Sequence, residues 1–218
     1  MTIPVDEALR YMGAANADEG TRRLAEETAK MLEERLQPRY LWRAFRTERS
    51  EEGIRLPEAG ITLSGKLAEN MLAECGCAAL LVCTLGAGFD RMLKEWEVRD
   101  MARAAVMDVC GSAWTESVCD RAEEEIRGRF PGRFLTDRFS PGYGDLPLSL
   151  QADFLRATDA GRKLGITVND SFLMTPCKTV TAVIGLSGKP QGAKIRGCAQ
   201  CALREDCAYR KGGKFCGA

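Results

Sequence analysis

The segment Arg138-Phe139-Ser140-Pro141-Gly142-Tyr143-Gly144-Asp145-Leu146-Pro147 carries more constraint than any other stretch of this chain of 218 residues. Two prolines and two glycines fall within seven residues, so the backbone is a loop held near one shape. Arg138 offers a planar fork suited to a carboxylate or phosphate. The glycines let backbone amides approach a ligand, and the prolines fix the loop beforehand. A purely structural turn needs fewer of these features at once.

Working outward, residues 150–164 read as a helix. Residues 166–187 (ITVNDSFLMTPCKTVTAVIGLS) read as extended, with β-branched residues alternating from Lys178 to Leu186. Upstream, a helical stretch from about Asp100 to Arg127 is rich in Ala and Gly, and small residues permit close packing, so it reads as the central helix. Before it, the apolar run Cys77–Leu85 is a buried strand closed by a glycine turn, followed by helical GFDRMLKEWEVRD. Ser64 is placed to cap a helix through Glu74. Arg39–Thr47 alternates as a strand, and residues 5–12 and 18–36 are helices, with Asp18 as the second one's N-cap. The sum is an α+β fold in which helices cover a central, partly antiparallel sheet.

Composition narrows the chemistry. Lysine plus arginine equal aspartate plus glutamate at 31 each, so no global field points to nucleic acid or to an anionic membrane. There is no histidine, which removes Ser-His-Asp and Cys-His nucleophiles, HExxH metalloprotease chemistry and every imidazole metal site. The N-terminus has acids at once and no apolar core of a signal peptide, and the longest apolar run is too short to span a bilayer. A cytoplasmic location follows as the expectation, and clustered cysteines there favour metal over disulfides.

Such a cluster closes the chain. A Gly/Pro/Lys linker separates a body of residues 1–193 from a tail, 194–218, that holds Cys198, Cys201, Cys207 and Cys216. A segment this short and polar buries no core of its own, so metal ligation would supply its folding energy. One CxxC followed by well-spaced cysteines suits a [4Fe–4S] cluster at least as well as structural zinc, with free or disulfide-bonded thiols as the third reading. The tail carries six basic and two acidic residues, a patch that is either solvated surface or a dock for an acidic redox partner.

Three further features have a bland reading and a sharp one. Gly86 and Gly88 follow a strand and precede a helix, but Arg91 stands where a dinucleotide fingerprint needs its third glycine, so a tight turn is the better reading. Cys75 and Cys77 alternate with small residues and read as buried. Asp108, Ser112, Glu116 and Asp120 recur every four residues, either a solvated face or an acidic stripe that meets a cationic group.

Taken together, RFSPGYGDLP resembles the R-x-x-P-G-Y-x-x-x-P signature of the reactivation (AdoMet-binding) domain of cobalamin-dependent methionine synthase, and DSFLMTPCKTVTAVIG (Asp170–Gly185) is similar to that family's later segment. Order and separation agree over roughly residues 134–187. LRYMG (Leu9–Gly13), CTLGAGFD (Cys83–Asp90) and the Ala-rich helix look more like stand-alone relatives of the same module. The resemblance implies a methionine synthase activation domain-like fold and S-adenosylmethionine held by Arg138, Ser140, Pro141, Gly142 and Tyr143. It also implies a corrinoid-facing surface at Phe172, Met174, Pro176 and Lys178. The family's tyrosine in the late strand is matched here by Val183 or Ile184, and its N-terminal aspartate has no counterpart.

The function so implied is reductive remethylation of cob(II)alamin in a corrinoid-dependent methyltransferase such as methionine synthase, within methionine biosynthesis. The partner is a corrinoid-binding protein that brings the cobalamin, with a flavodoxin- or ferredoxin-type electron donor. The alternative is an iron–sulfur or zinc redox or scaffold module that docks on a corrinoid protein without binding AdoMet.

Overall fold

In the computed structural model of the protein, which describes residues 2–14, 16–192, 195 and 205, the chain opens with helices α1 (Val5–Tyr11) and α2 (Glu19–Arg35). Asp18 starts α2 as its sequence position suggests, its carboxylate accepting the Thr21 N–H at 2.8 Å. β1 (Arg39–Arg46) follows, then a small antiparallel sheet of β2 (Glu48–Ser50), β3 (Gly53–Leu56) and β4 (Ile61–Leu63). Strands of three and four residues are too short for a hydrophobic period to announce them.

Next come α3 (Lys66–Met71), β5 (Cys75–Thr84), α4 (Ala87–Arg99) and the long α5 (Met101–Arg129). The rest of the body is β6 (Phe134–Leu135), α6 (Leu150–Thr158), α7 (Ala160–Leu164), β7 (Thr167–Val168), β8 (Met174–Thr175) and β9 (Thr179–Ser187). Two local expectations are corrected. The helix over residues 150–164 breaks at Asp159, whose left-handed φ of 62° ends α6 and turns the chain into α7. Ser64 does not cap α3; the N-cap is Gly65, and the capping oxygens come from Asp145 in the distant loop.

The central sheet has the order β1-β5-β9-β6, and every pairing in it is antiparallel. β5 and β9 lie inside, which explains why neither keeps a polar face: β9 is buried from Thr181 to Ser187, and the alternation read there is one of branching rather than burial. Side chains of successive residues face opposite ways. Ala79, Leu81, Cys83, Ala182 and Ile184 therefore pack under α1, α2 and α5, whereas Ala78, Leu80 and Val183 pack against β3, β4, α3 and α6. Cys75 is buried and Cys77 half-buried, as their small neighbours suggest.

The close approach of α4 to α5 rests on Gly111, where an added Cβ would stand 2.4 Å from the Phe89 ring. Among the described residues no helix is long and apolar enough to cross a membrane, and no cluster of three metal-ligating side chains is found. Cys198, Cys201, Cys207 and Cys216 lie outside the described residues.

Candidate functional site

Arg138 is positioned by the sheet. Its neighbour Phe139 pairs with Val183 of β9, the two backbones exchanging hydrogen bonds of 3.1 and 2.7 Å. Phe139 points into the core beneath β3 and β4, so Arg138 emerges on the opposite face, toward α5. There its guanidinium reaches Glu116 (2.5 Å), Asp120 (2.6 Å) and Glu123 (2.5 Å). Burial works against the Arg138 charge, but the facing carboxylates of Glu116 and Glu123 hold its proton more tightly than in water.

A second cation meets the same stripe two turns earlier. Lys178 Nζ lies 2.9 Å from Asp108 Oδ1 and donates to Ser112 Oγ at 2.8 Å, above the Phe89 ring. The stripe of Asp108, Ser112, Glu116 and Asp120 is thus neither a purely solvated face nor an empty acidic track. It meets Lys178 and Arg138, one cation from each of the two family-like segments. Glu123 extends it and was not in the four-residue spacing, although i+7 from Glu116 falls on the same face.

The loop after Arg138 is folded upon itself. Gly142 N donates to Leu146 O at 2.8 Å and Tyr143 N to Ser140 O at 3.0 Å, with Gly142 at φ 87°. Asp145 anchors it, accepting the N–H groups of Lys66 (2.7 Å) and Leu67 (3.0 Å) at the start of α3. These bonds hold the Asp145 carboxyl below its ordinary range.

Two adjoining cavities run along α5. One, of about 220 Å³, is lined by Glu116, Arg138, Ser140, Tyr143, Val180 and Ile195. The other, of about 320 Å³, is lined by Tyr11, Ser112, Glu116, Cys177, Lys178 and Val180. Glu116 and Val180 belong to both, so the two form one groove. Each is within or near the ~300–1,000 Å³ usual for small-molecule sites.

Pro141 and Gly142 shape the loop without lining either cavity. Of the other expected residues, Pro176 is buried, Met174 packs beside Val168 against the Val82–Leu155 cluster, and Phe172 stands exposed near the β7–β8 hairpin tip. Only Lys178 of that set lines the groove. Val183 and Ile184 are wholly buried in β9 and line neither cavity.

Tyr11, within the LRYMG segment but not expected at the site, is an aromatic wall of the second cavity. Burial, then its bond to Glu7, raises its phenol to about 12, so it is a neutral side chain whose hydroxyl proton goes to Glu7. Cys177, beside it, is tied to Asp90 through both its N–H (3.1 Å) and its thiol (3.1 Å). Burial and that carboxylate raise the thiol to about 11.

The fold, a four-stranded antiparallel sheet with a long helix across one face, is similar to that of a solved structure. The crystal structure of the MetH reactivation domain bound to AdoHcy matches over 89% of this chain and 73% of that chain, with a TM-score of 0.60 at 16% sequence identity. No protein-family model matches the sequence, and no curated protein matches it.

Proposed function

We propose that this protein reactivates a corrinoid-dependent methyltransferase, presenting S-adenosylmethionine from the α5 groove to a corrinoid held by a partner protein. The observation that carries the reading is that Arg138, Ser140, Tyr143 and Lys178, read from two separate segments, converge on one acidic helix face. The fold supports it, since the MetH reactivation domain of that fold binds AdoHcy, the product left when AdoMet gives up its methyl group. In this reading Arg138 meets the ligand carboxylate, while Glu116 and Asp120 face its ammonium and sulfonium charges. The electron donor reduces cob(II)alamin to cob(I)alamin on the partner, and the cobalt electron pair then takes the methyl cation from sulfur, leaving AdoHcy.

Calorimetry with AdoHcy and AdoMet tests the ligand, and absorbance of a partner's cob(II)alamin on titration with this protein tests the docking. Saturable binding and loss of the axial-ligand band are expected. A wild-type protein that binds neither nucleoside removes the AdoMet role.

The second reading, which rests on Cys198, Cys201, Cys207 and Cys216, is an iron–sulfur or zinc redox or scaffold module that docks on a corrinoid protein without binding AdoMet. In it, residues 194–218 form a separate metal-binding tail that carries an [4Fe–4S] cluster or zinc, on a body, 1–193, that folds without it. Anaerobic protein should then contain about four irons and four sulfides, or one zinc, per chain. Deleting 194–218 should remove the metal and leave cooperative unfolding. Metal-free anaerobic protein sinks this reading without touching the first.

A further inference from the structure

β9 ends at Ser187, yet a residue well beyond it stands in the groove. Three contacts hold the described residues after the strand. Lys189 Nζ lies 3.1 Å from Glu74 Oε1, and Gln191 Nε2 donates to Ser187 Oγ at 3.1 Å. The Ile195 N–H then donates to Asp137 Oδ2 at 3.0 Å. Asp137 immediately precedes Arg138, so this last bond sets Ile195 beside the Arg138 cavity, where it forms part of the lining. Its side chain is half-buried and packs against the core cluster that includes Phe139.

The lining of that cavity divides by chemistry. Glu116 and Arg138 supply charge from α5 and from the loop, and Ser140 a hydroxyl. Val180 and Ile195 are aliphatic, and Tyr143 adds an aromatic ring that is 54% exposed. Apolar side chains open to water at a cavity wall gain free energy when an apolar surface covers them, and an open aromatic ring favours a flat one. A small ion would meet the charged side and leave Val180, Ile195 and Tyr143 uncovered.

The geometry points to Ile195 as a specificity-determining residue of the groove, whose side chain, with Val180 and Tyr143, forms the wall that takes the purine ring of the nucleoside. The inference rests on the AdoMet reading above and adds to it a residue that lies outside both family-like segments. The wall is built late in the chain, by a residue eight positions beyond the last strand, and Asp137 holds it in place.

Calorimetry on the full chain with AdoHcy and with S-ribosylhomocysteine, which lacks the purine, separates this wall from the rest of the site. Wild type should bind AdoHcy at least about tenfold more tightly than S-ribosylhomocysteine. Ile195→Ala should weaken AdoHcy about three- to tenfold, as expected when a half-buried aliphatic contact is lost, and should leave S-ribosylhomocysteine unchanged. Ile195→Val, which keeps a branched wall, should recover most of that loss. Equal losses for the two ligands would make Ile195 a brace of the Arg138 loop, and an Ile195→Ala protein that binds AdoHcy as wild type does would leave the side chain without a role; either result overturns the proposal. A wild type that binds neither ligand removes the AdoMet reading itself, and this inference with it.

Discussion

Nη2 of Arg138 stands 2.5 Å from Oε2 of Glu116, and the same side chain, 9% exposed, also holds Asp120 and Glu123. One guanidinium thus faces three carboxylates on a single helix face, which leaves the site negative. A planar fork can serve several acids at once, and an ammonium cannot. Arg138→Lys should therefore already lower both stability and AdoHcy affinity. Arg138→Ala should lose about 2–4 kcal/mol of stability, less than a wholly buried pair because Glu116 and Asp120 are half-exposed. Urea unfolding and calorimetry on the same variants check both. Full stability with lost affinity would mean that the three acids do not brace the loop.

Glu116→Gln separates ligand charge from scaffold. The amide keeps the size, and Asp120 and Glu123 still hold Arg138, so stability should change by less than about 1 kcal/mol. AdoMet carries a sulfonium where AdoHcy carries a neutral thioether, so only AdoMet loses a charge–charge attraction at that atom. The ratio of AdoMet to AdoHcy affinity should fall several-fold on calorimetric titration. An equal loss for both ligands would assign Glu116 to the part that they share.

Asp145 ties the loop to the fold, with no other side chain capping α3. Asp145→Ala should lower the melting temperature and loosen the Arg138–Pro147 loop, seen as faster amide exchange at Lys66 and Leu67. Its folded carboxyl titrates below the unfolded value of about 3.9. The stabilisation is thus present above pH ~4 and is lost as pH falls through the lower folded value. Wild type and variant should converge in stability under acid; a gap that persists at pH 2 would locate the effect elsewhere.

The sequence made the central helix, the inner strands and the constrained Arg138–Pro147 loop legible because each leaves a concentrated or long signal. Cys77–Leu85 has no polar face, the small residues of α5 recur over many turns, and Arg138–Pro147 concentrates turn chemistry. What stayed hidden has short or non-local causes. The β2-β3-β4 sheet is built from strands too short for a period. Asp159 breaks a helix through one left-handed residue in an otherwise helical pattern. Asp145 caps a helix 79 residues away in sequence, and no local signal announces a cap supplied from elsewhere. Tyr11 reaches the groove only because α1 packs on α5. The acidic stripe could be read, but its partners Arg138 and Lys178 could not, since pairing across the chain is a property of the fold.

Cys177 is exposed yet should be a poor nucleophile. With its thiol raised to about 11 by burial and Asp90, the thiolate fraction at pH 8 falls roughly a hundredfold below that of an ordinary thiol. Iodoacetamide labelling, mapped to the Cys177 peptide by mass spectrometry, should be slow at pH 8 and accelerate toward pH 11. Asp90→Asn should raise the rate at pH 8. Peptide-like labelling of the wild type would mean that the Asp90 contact does not persist in solution.

Two glycines of α5 should respond to the same substitution with opposite signs. Alanine is favoured over glycine within a helix by about 1 kcal/mol, a gain available at either position. At Gly128 nothing lies within 4 Å of an added Cβ, so Gly128→Ala should keep that gain and raise stability by about 0.5–1 kcal/mol. At Gly111 the methyl would stand 2.4 and 2.5 Å from two ring carbons of Phe89, which is wholly buried and has no open space to enter. Overpacking of this kind costs about 1–3 kcal/mol, enough to reverse the propensity gain. Gly111→Ala should therefore destabilise the protein and, because Lys178 lies over the same ring, also disturb its contact with Asp108. Parallel urea titrations of the two variants decide the matter. A Gly111→Ala protein as stable as Gly128→Ala would show that α4 can move away from α5 at little cost, and that the groove floor is softer than its packing implies.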